Sequence, residues 1–178
     1  MTETISGNSG TATTQAITID TTAPTSTVMI NSITADSGSS ATDFITSDDD
    51  GLTVTATLSS GLLTGEILEY SNDNGATFSN VTSSVLGTAI SHTDARLTSS
   101  NTIQFRVTDT AGNTGTVATQ LITIDTTAPT STVAINSITT DSGSSATDFI
   151  TSDNAGLTVT ATLSSGLLTG EILEYSND

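Results

Sequence analysis

Leu52-Thr53-Val54-Thr55-Ala56-Thr57-Leu58 alternates apolar and hydroxyl side chains over its whole length. Period-two alternation puts the two sets on opposite faces of an extended strand, so Leu52, Val54, Ala56 and Leu58 predict a buried face and the threonines a solvated one. β-branched threonine loses rotamer freedom in a helix and fits a pleated surface, which makes helix a poor reading of the same residues. Further along, Ile103, Phe105 and Val107 alternate with Gln104, Arg106 and Thr108, and Glu66 to Tyr70 places Leu68 and Tyr70 opposite Ile67 and Glu69. Between them Asn72-Asp73-Asn74-Gly75 reads as a hairpin turn, because Asn-Gly accepts positive φ at low cost. Thr25 to Ile33 predicts a first strand and Thr116 to Ile124 a last one. Phe78, Val81, Val85 and Ile90 supply short strands between, and Ser91 to Leu97 reads as a crossover. About seven short strands separated by turn residues, with no helical period, point to an all-β fold, a β-sandwich first and a closed barrel as the alternative with the same pattern.

The pattern recurs. Thr21 to Asp73 returns as Thr126 to Asp178, with Met29, Ala35, Asp49 and Asp50 replaced by Ala134, Thr140, Asn154 and Ala155. Gly7 to Asp20 likewise resembles Gly112 to Asp125. A fixed period near 105 residues is the mark of a tandem array. Residues 1–20 therefore read as the last strand of a preceding repeat, 21–125 as a complete repeat, and 126–178 as the first half of the next. The junctions Asp20-Thr21-Thr22-Ala23-Pro24 and Asp125-Thr126-Thr127-Ala128-Pro129 are short and carry the proline, which predicts units held end to end rather than loosely tethered.

Two basic residues, Arg96 and Arg106, stand against 19 acidic ones, for a formal net charge of −17. Such a chain repels phosphate backbones and anionic lipid, which argues against nucleic-acid and membrane-surface partners. Cysteine is absent, so no disulfide framework staples the units. Phe, Tyr and Trp together make up 3% of the residues, leaving each core to Ile, Leu, Val and Ala and its stability modest. There is no long apolar run to cross a membrane, and Met1-Thr2-Glu3-Thr4 lacks the basic start of a secretion signal, as an internal piece of a longer secreted protein would.

An anionic array without lysine needs neutralising, and divalent cations are the natural means. Calcium takes about six to eight oxygens from carboxylates, carbonyls and water. Asp20, Asp36, Asp43, Asp48 and Asp109 fall at predicted strand ends or loops, where several can converge at one pole of a sandwich; Asp125, Asp141, Asp148 and Asp153 are their repeat counterparts. These nine are the candidate ligands. Asp49 and Asp50 are replaced in the second copy, so they read as surface charge. No EF-hand spacing occurs, so a site would be assembled from distant loops. His92, the lone histidine, has no partner set for transition-metal or nucleophilic chemistry and is expected in a surface or turn role. Glu66 and Glu69 lie on opposite strand faces, a poor glycosidase pair.

Three stretches, Ile122-Thr123-Ile124-Asp125-Thr126-Thr127-Ala128-Pro129, Arg106-Val107-Thr108-Asp109-Thr110-Ala111-Gly112-Asn113 and Asp36 to Asp48, resemble the bacterial immunoglobulin-like repeats of giant surface adhesins, including RTX adhesins and biofilm-associated proteins. The resemblance implies immunoglobulin-like β-sandwiches strung as rigid beads on the cell surface, projecting a distal binding region, with structural Ca²⁺ at or near the junctions. Neighbouring repeats of the same chain are then the expected partners. Two other readings accompany it. Exposed Thr rows at Thr53, Thr55 and Thr57 could make a unit a surface- or glycan-binding module, and the orphan strand 11–20 could complete the half-repeat 126–178 of another copy, giving a filament by donor-strand addition. No convergent nucleophile, base and electrophile suggests an enzyme.

Overall fold

A computed structural model of the chain describes residue 5 and residues 8–177. Its regular structure is β, with one 3₁₀ turn at Thr82–Ser84 and no α-helix among the described residues. No helix there is long and apolar enough to cross a membrane. The chain divides into two compact units, Met1–Thr126 and Thr127–Asp178. Asp178, the counterpart of Asp73, lies outside the described residues, as does Gly7.

Unit 1 contains β1 (Val28–Ile33), β2 (Ile45–Thr46), β3 (Leu52–Leu58), β4 (Ile67–Ser71), β5 (Ser79–Asn80), β6 (Val85–Leu86), β7 (Ala89–Asp94), β8 (Asn101–Thr108) and β9 (Ala118–Ile124). They form a four-stranded sheet in the order β1-β3-β7-β6 and a five-stranded sheet in the order β2-β9-β8-β4-β5. Every neighbouring pair is antiparallel except β2 and β9, which run parallel through Ile45↔Thr123 and Thr46↔Ile124. The alternation read from the sequence becomes burial: Leu52, Val54, Ala56 and Leu58 of β3 lie in one core with Leu68 and Tyr70 of β4 and Ile103, Phe105 and Val107 of β8. Both sheets feed this core, as the layers of a β-sandwich do.

The outward face of β3 is tied sideways. Thr53 Oγ1 lies 2.7 Å from Thr93 Oγ1, Ser32 Oγ 2.7 Å from Thr55 Oγ1, and Asn31 Nδ2 donates to Thr57 Oγ1 at 2.7 Å. These are cross-strand pairs of the kind that stabilise a sheet. The turn after β4 has Asn74 and Gly75 at φ 57° and 83°, as Asn-Gly predicts.

Three details depart from the sequence reading. Ser91 to Asp94 belong to β7 rather than to a crossover, because Thr53 and Thr55 of β3 offer them a ladder. β2 is a strand of two residues, too short for its pattern to register in the sequence, and it forms because Thr46 Oγ1 donates to the Ala35 carbonyl at 2.5 Å and β9 offers an edge. Residues 11–20 form no strand; Ile17 and Ile19 are exposed, with no ladder to hold them.

Unit 2 holds one antiparallel pair, β10 (Val133–Ile138) and β11 (Val159–Leu163). It copies the β1–β3 register residue for residue, including the irregularity between Ile30 and Ser32, here between Ile135 and Ser137. The loop between the strands is copied too. Asp36 Oδ2 accepts from Phe44 N and Ser37 Oγ from Ser47 N, and Asp141 and Ser142 repeat this with Phe149 and Ser152. This element is therefore specified locally, by its own side-chain bonds. The next segment of the chain is not. Glu171 to Tyr175, identical in sequence to Glu66 to Tyr70, forms no strand; Leu173 is 56% exposed where Leu68 is 0%, and Tyr175 76% where Tyr70 is 2%.

Candidate functional site: acidic poles and the junction

Strand directions sort the acidic residues between two poles of unit 1. β1 ends, β3 begins and β7 ends at one pole, where Thr46 ties β2 to the end of β1 and Asn72 Nδ2 donates to Asp94 Oδ2 at 2.7 Å. Asp36, Asp43 and Asp48 flank β2 there, and Asp125 N donates to the Thr46 carbonyl at 2.9 Å. Asp20 and Asp109 lie at the other pole.

Most of these carboxylates are occupied by their own loops. Asp20 Oδ1 accepts from Thr22 N, Asp43 Oδ1 from Ile45 N, and Asp48 Oδ1 from Asp50 N. Asp148 Oδ1 and Asp153 Oδ1 accept from Ile150 N and Ala155 N in the same way. This is the self-bonding that makes aspartate a turn residue. Asp109 goes furthest: Oδ1 accepts from Ala111 N and Asn113 N, and Oδ2 from Asn113 Nδ2. The Asn113 side chain first, then the backbone N–H groups, hold its carboxyl below the usual range. Two oxygens stand apart. Asp36 Oδ1 and its counterpart Asp141 Oδ1 are buried and accept no hydrogen bond. Among the described residues no three acidic or histidine side chains come together as a metal-binding group.

The junction is built at the second pole. Asn113 Nδ2, fixed by Asp109, also donates to the Asp20 carbonyl at 3.2 Å. Pro24 is buried, and its carbonyl oxygen lies where a Cβ on Gly115 would come within 2.8 Å, so only glycine admits this approach. Pro129, the counterpart in unit 2, is exposed. The Asp109–Gly115 turn is thus a seat for the chain entering the unit.

Two clusters were not legible in the sequence. Arg106 Nε donates to Glu69 Oε2 at 2.7 Å, its guanidinium stacks 3.7 Å over the Phe78 ring, and Thr108 Oγ1 donates to the same Glu69 oxygen at 2.7 Å. Partial burial works against ionisation of Glu69, but the bonds from Thr108 and Arg106 and the arginine charge outweigh it and lower its pKa. On the other sheet His92 is half-buried, 4.6 Å from the Tyr70 ring, rather than a surface or turn residue; β7 carries it against the core edge. Burial lowers its pKa first, with the Arg96 charge acting the same way and Asp94 against, and burial also pushes the Tyr70 hydroxyl far above its usual value, with Asp94 adding to it. Alternation places these side chains on faces, but only strand register, invisible in one sequence, brings Glu69 opposite Arg106.

These bonds make stability depend on pH. The lowered pKa of Glu69 means that its contribution is complete above the ordinary glutamate range and is lost as pH falls through the folded value. Asp73, held to about 2 by bonds from Ser71 and Thr77, extends the loss to lower pH. Protonating the other carboxylates relieves repulsion, so the comparison is with Glu69→Gln: its melting temperature should lie below that of the wild type at neutral pH and converge with it in acid. Parallel curves would remove Glu69 from the account.

No family model, curated protein or solved structure matches this chain.

Proposed function

We propose that the chain is part of the extender of a bacterial cell-surface adhesin, a stiff extracellular rod of immunoglobulin-like repeats of about 105 residues that projects a distal binding region. The orders β1-β3-β7-β6 and β2-β9-β8-β4-β5 support the immunoglobulin-like reading, since they correspond to strands A-B-E-D facing G-F-C, with β2 and β5 as short added strands at the two edges of the second sheet. The observation that carries the rod is the junction: buried Pro24, the close approach at Gly115 and the bond from Asn113 to the Asp20 carbonyl leave the entering chain little freedom. A loose linker would make no such contacts. The alternative as a surface- or glycan-binding module draws less support, because the hydroxyls of Thr53, Thr55 and Thr57 are already engaged with neighbouring strands. No catalytic role is proposed.

Calcium belongs to this proposal as the cation that offsets the charge of −17. Asp36 Oδ1 and Asp141 Oδ1 each offer one uncompensated buried oxygen. With no acidic cluster among the described residues, the rest of a coordination shell would come from backbone carbonyls and water. The test is a chain of several repeats in series, measured by small-angle scattering and thermal melting in calcium and in chelator. The expected result is an extended rod that becomes more flexible and melts lower on chelation. A melt and profile indifferent to chelator would remove calcium, and a flexible string in both conditions would remove the rod.

A further inference from the structure

One cross-strand row of the four-stranded sheet sets Met29 of β1 beside Thr57 of β3, Thr57 beside Ala89 of β7, and Ala89 beside Leu86 of β6. All four alternate with residues packed in or against the core, so they face outward. Met29 is 65% exposed and Leu86 85%, which leaves an apolar side chain at each end of the row. Beside Met29 lies a hollow of about 260 Å³ lined by Thr27, Met29, Thr57, Leu58 and Ser59. It is smaller than small-molecule sites of about 300–1,000 Å³ and suits one branched side chain. The face around the row is uncharged. Asn31, Thr53, Thr55, Ser91 and Thr93 complete it, while His92 and Asp94 of β7 lie on the core side. Thr53, Thr55 and Thr57 already share their hydroxyls with neighbouring strands, so covering this face strands few polar groups. In a chain of net charge −17, a neutral face is where two copies approach with least repulsion.

We propose that this face docks on the same face of a second copy of the chain, with Leu86 of each copy seated in the hollow beside Met29 of the other. Knob and hollow lie at opposite ends of one row, β6 at one edge of the sheet and β1 with β3 at the other. A two-fold axis parallel to the strands, midway between β3 and β7, therefore exchanges them, and the contact is isologous and closes at two copies. An axis along the row would instead set Leu86 against Leu86 and leave both hollows empty. Three strand spacings of ~4.8 Å and six residues of ~3.3 Å give each face roughly 300 Å². Two such faces fall below the about 1,200–2,000 Å² of stable complexes, so one pair makes a weak, transient contact. The inference stands on unit 1 alone. In the extender proposed above, this axis keeps both rods running in the same direction, and repeats in series add their contacts. Ala134 stands in place of Met29 in the second copy and takes away one wall of the hollow, so repeats differ in what they contribute.

The chain has no cysteine, so single introduced thiols report the contact. Full chains carrying Leu86→Cys and Thr27→Cys, both at exposed positions, are mixed in equal amounts and treated with a short bifunctional thiol cross-linker. The mixed dimer should form about tenfold faster than either like dimer, because only unlike positions meet across the axis. Adding Met29→Ala to the Thr27→Cys chain should slow the mixed product about fivefold or more, as the loss of a buried apolar side chain does. Mixed and like dimers in statistical proportion, or no cross-linking at all, would show that a second copy does not occupy this face. A preference for the dimer linked through position 86 of both chains would place the axis along the row and overturn the pairing, and a mixed product indifferent to Met29→Ala would remove the hollow as the seat of Leu86.

Discussion

Leu68→Ala should destabilise unit 1 by about 2–5 kcal/mol, the range for deleting a fully buried leucine side chain, while Leu173→Ala should leave the melting of the chain within about 0.5 kcal/mol, as at exposed sites. Both leucines lie in the identical stretch Glu-Ile-Leu-Glu-Tyr. Local propensity is therefore held constant, and the difference isolates burial by β8 and the facing sheet. Leu68 is 0% exposed and Leu173 56%. With a core poor in aromatics, a loss near the upper end is comparable to the whole stability of a domain this size, about 5–15 kcal/mol. Thermal or urea unfolding followed by the near-ultraviolet signal of Tyr70 measures it. Equal effects at the two positions would mean that unit 2 is as fully packed as unit 1.

Gly51→Ala is the second large effect. Gly51 has φ 105°, and a Cβ there would lie 2.8 Å from Ala95 Cα and 3.2 Å from the Asp94 carbonyl oxygen. Both obstacles are backbone and cannot rotate away. The left-handed conformation costs an L-residue about 1–2 kcal/mol, and forcing β3 away from the end of β7 adds about 1–3 kcal/mol in the manner of overpacking. Gly156, its counterpart, has φ 101° with nothing within 4 Å of the added carbon. Gly156→Ala carries the first cost alone and should leave unit 1 untouched. A Gly51→Ala protein that melts with the wild type would show that the start of β3 and the end of β7 are not packed this closely.

Much of the fold was legible because the signals are short-range. Alternation located β3 to the residue and placed Leu68, Tyr70, Phe105 and Val107 in the core, and Asn74-Gly75 marked its turn. The edges were less legible. β2 has two residues and exists through Thr46 and the parallel edge of β9, neither of which leaves a periodic trace. The acidic residues show the same division. That Asp36, Asp43, Asp48 and Asp109 belong to loops follows from composition and turn chemistry. That each spends oxygens on nearby N–H groups, and that Asp20 and Asp109 lie at the pole opposite the rest, depends on loop geometry and strand direction. Asp94 drew no attention because it lies in the middle of the stretch read as a crossover, yet it ends β7, is buried and accepts a hydrogen bond from Asn72. The segment 11–20 has the residues of a strand without a ladder to join, which shows how far propensity alone falls short of structure.

Identical sequence in two states offers the most direct test of this account. Leu52 to Tyr70 and Leu157 to Tyr175 are the same nineteen residues, so proteolysis yields peptides of one composition from both copies. Hydrogen–deuterium exchange on the intact monomeric chain, read by mass spectrometry of that peptide, should give two separate isotope envelopes: a slow one from β3 and β4 inside the closed core, and a fast one protected at most across the β10–β11 pair. A single slow envelope would mean that both halves are equally closed, and a single fast one that unit 1 has no stable core; either would contradict the division of this chain into a completed sandwich and an open half.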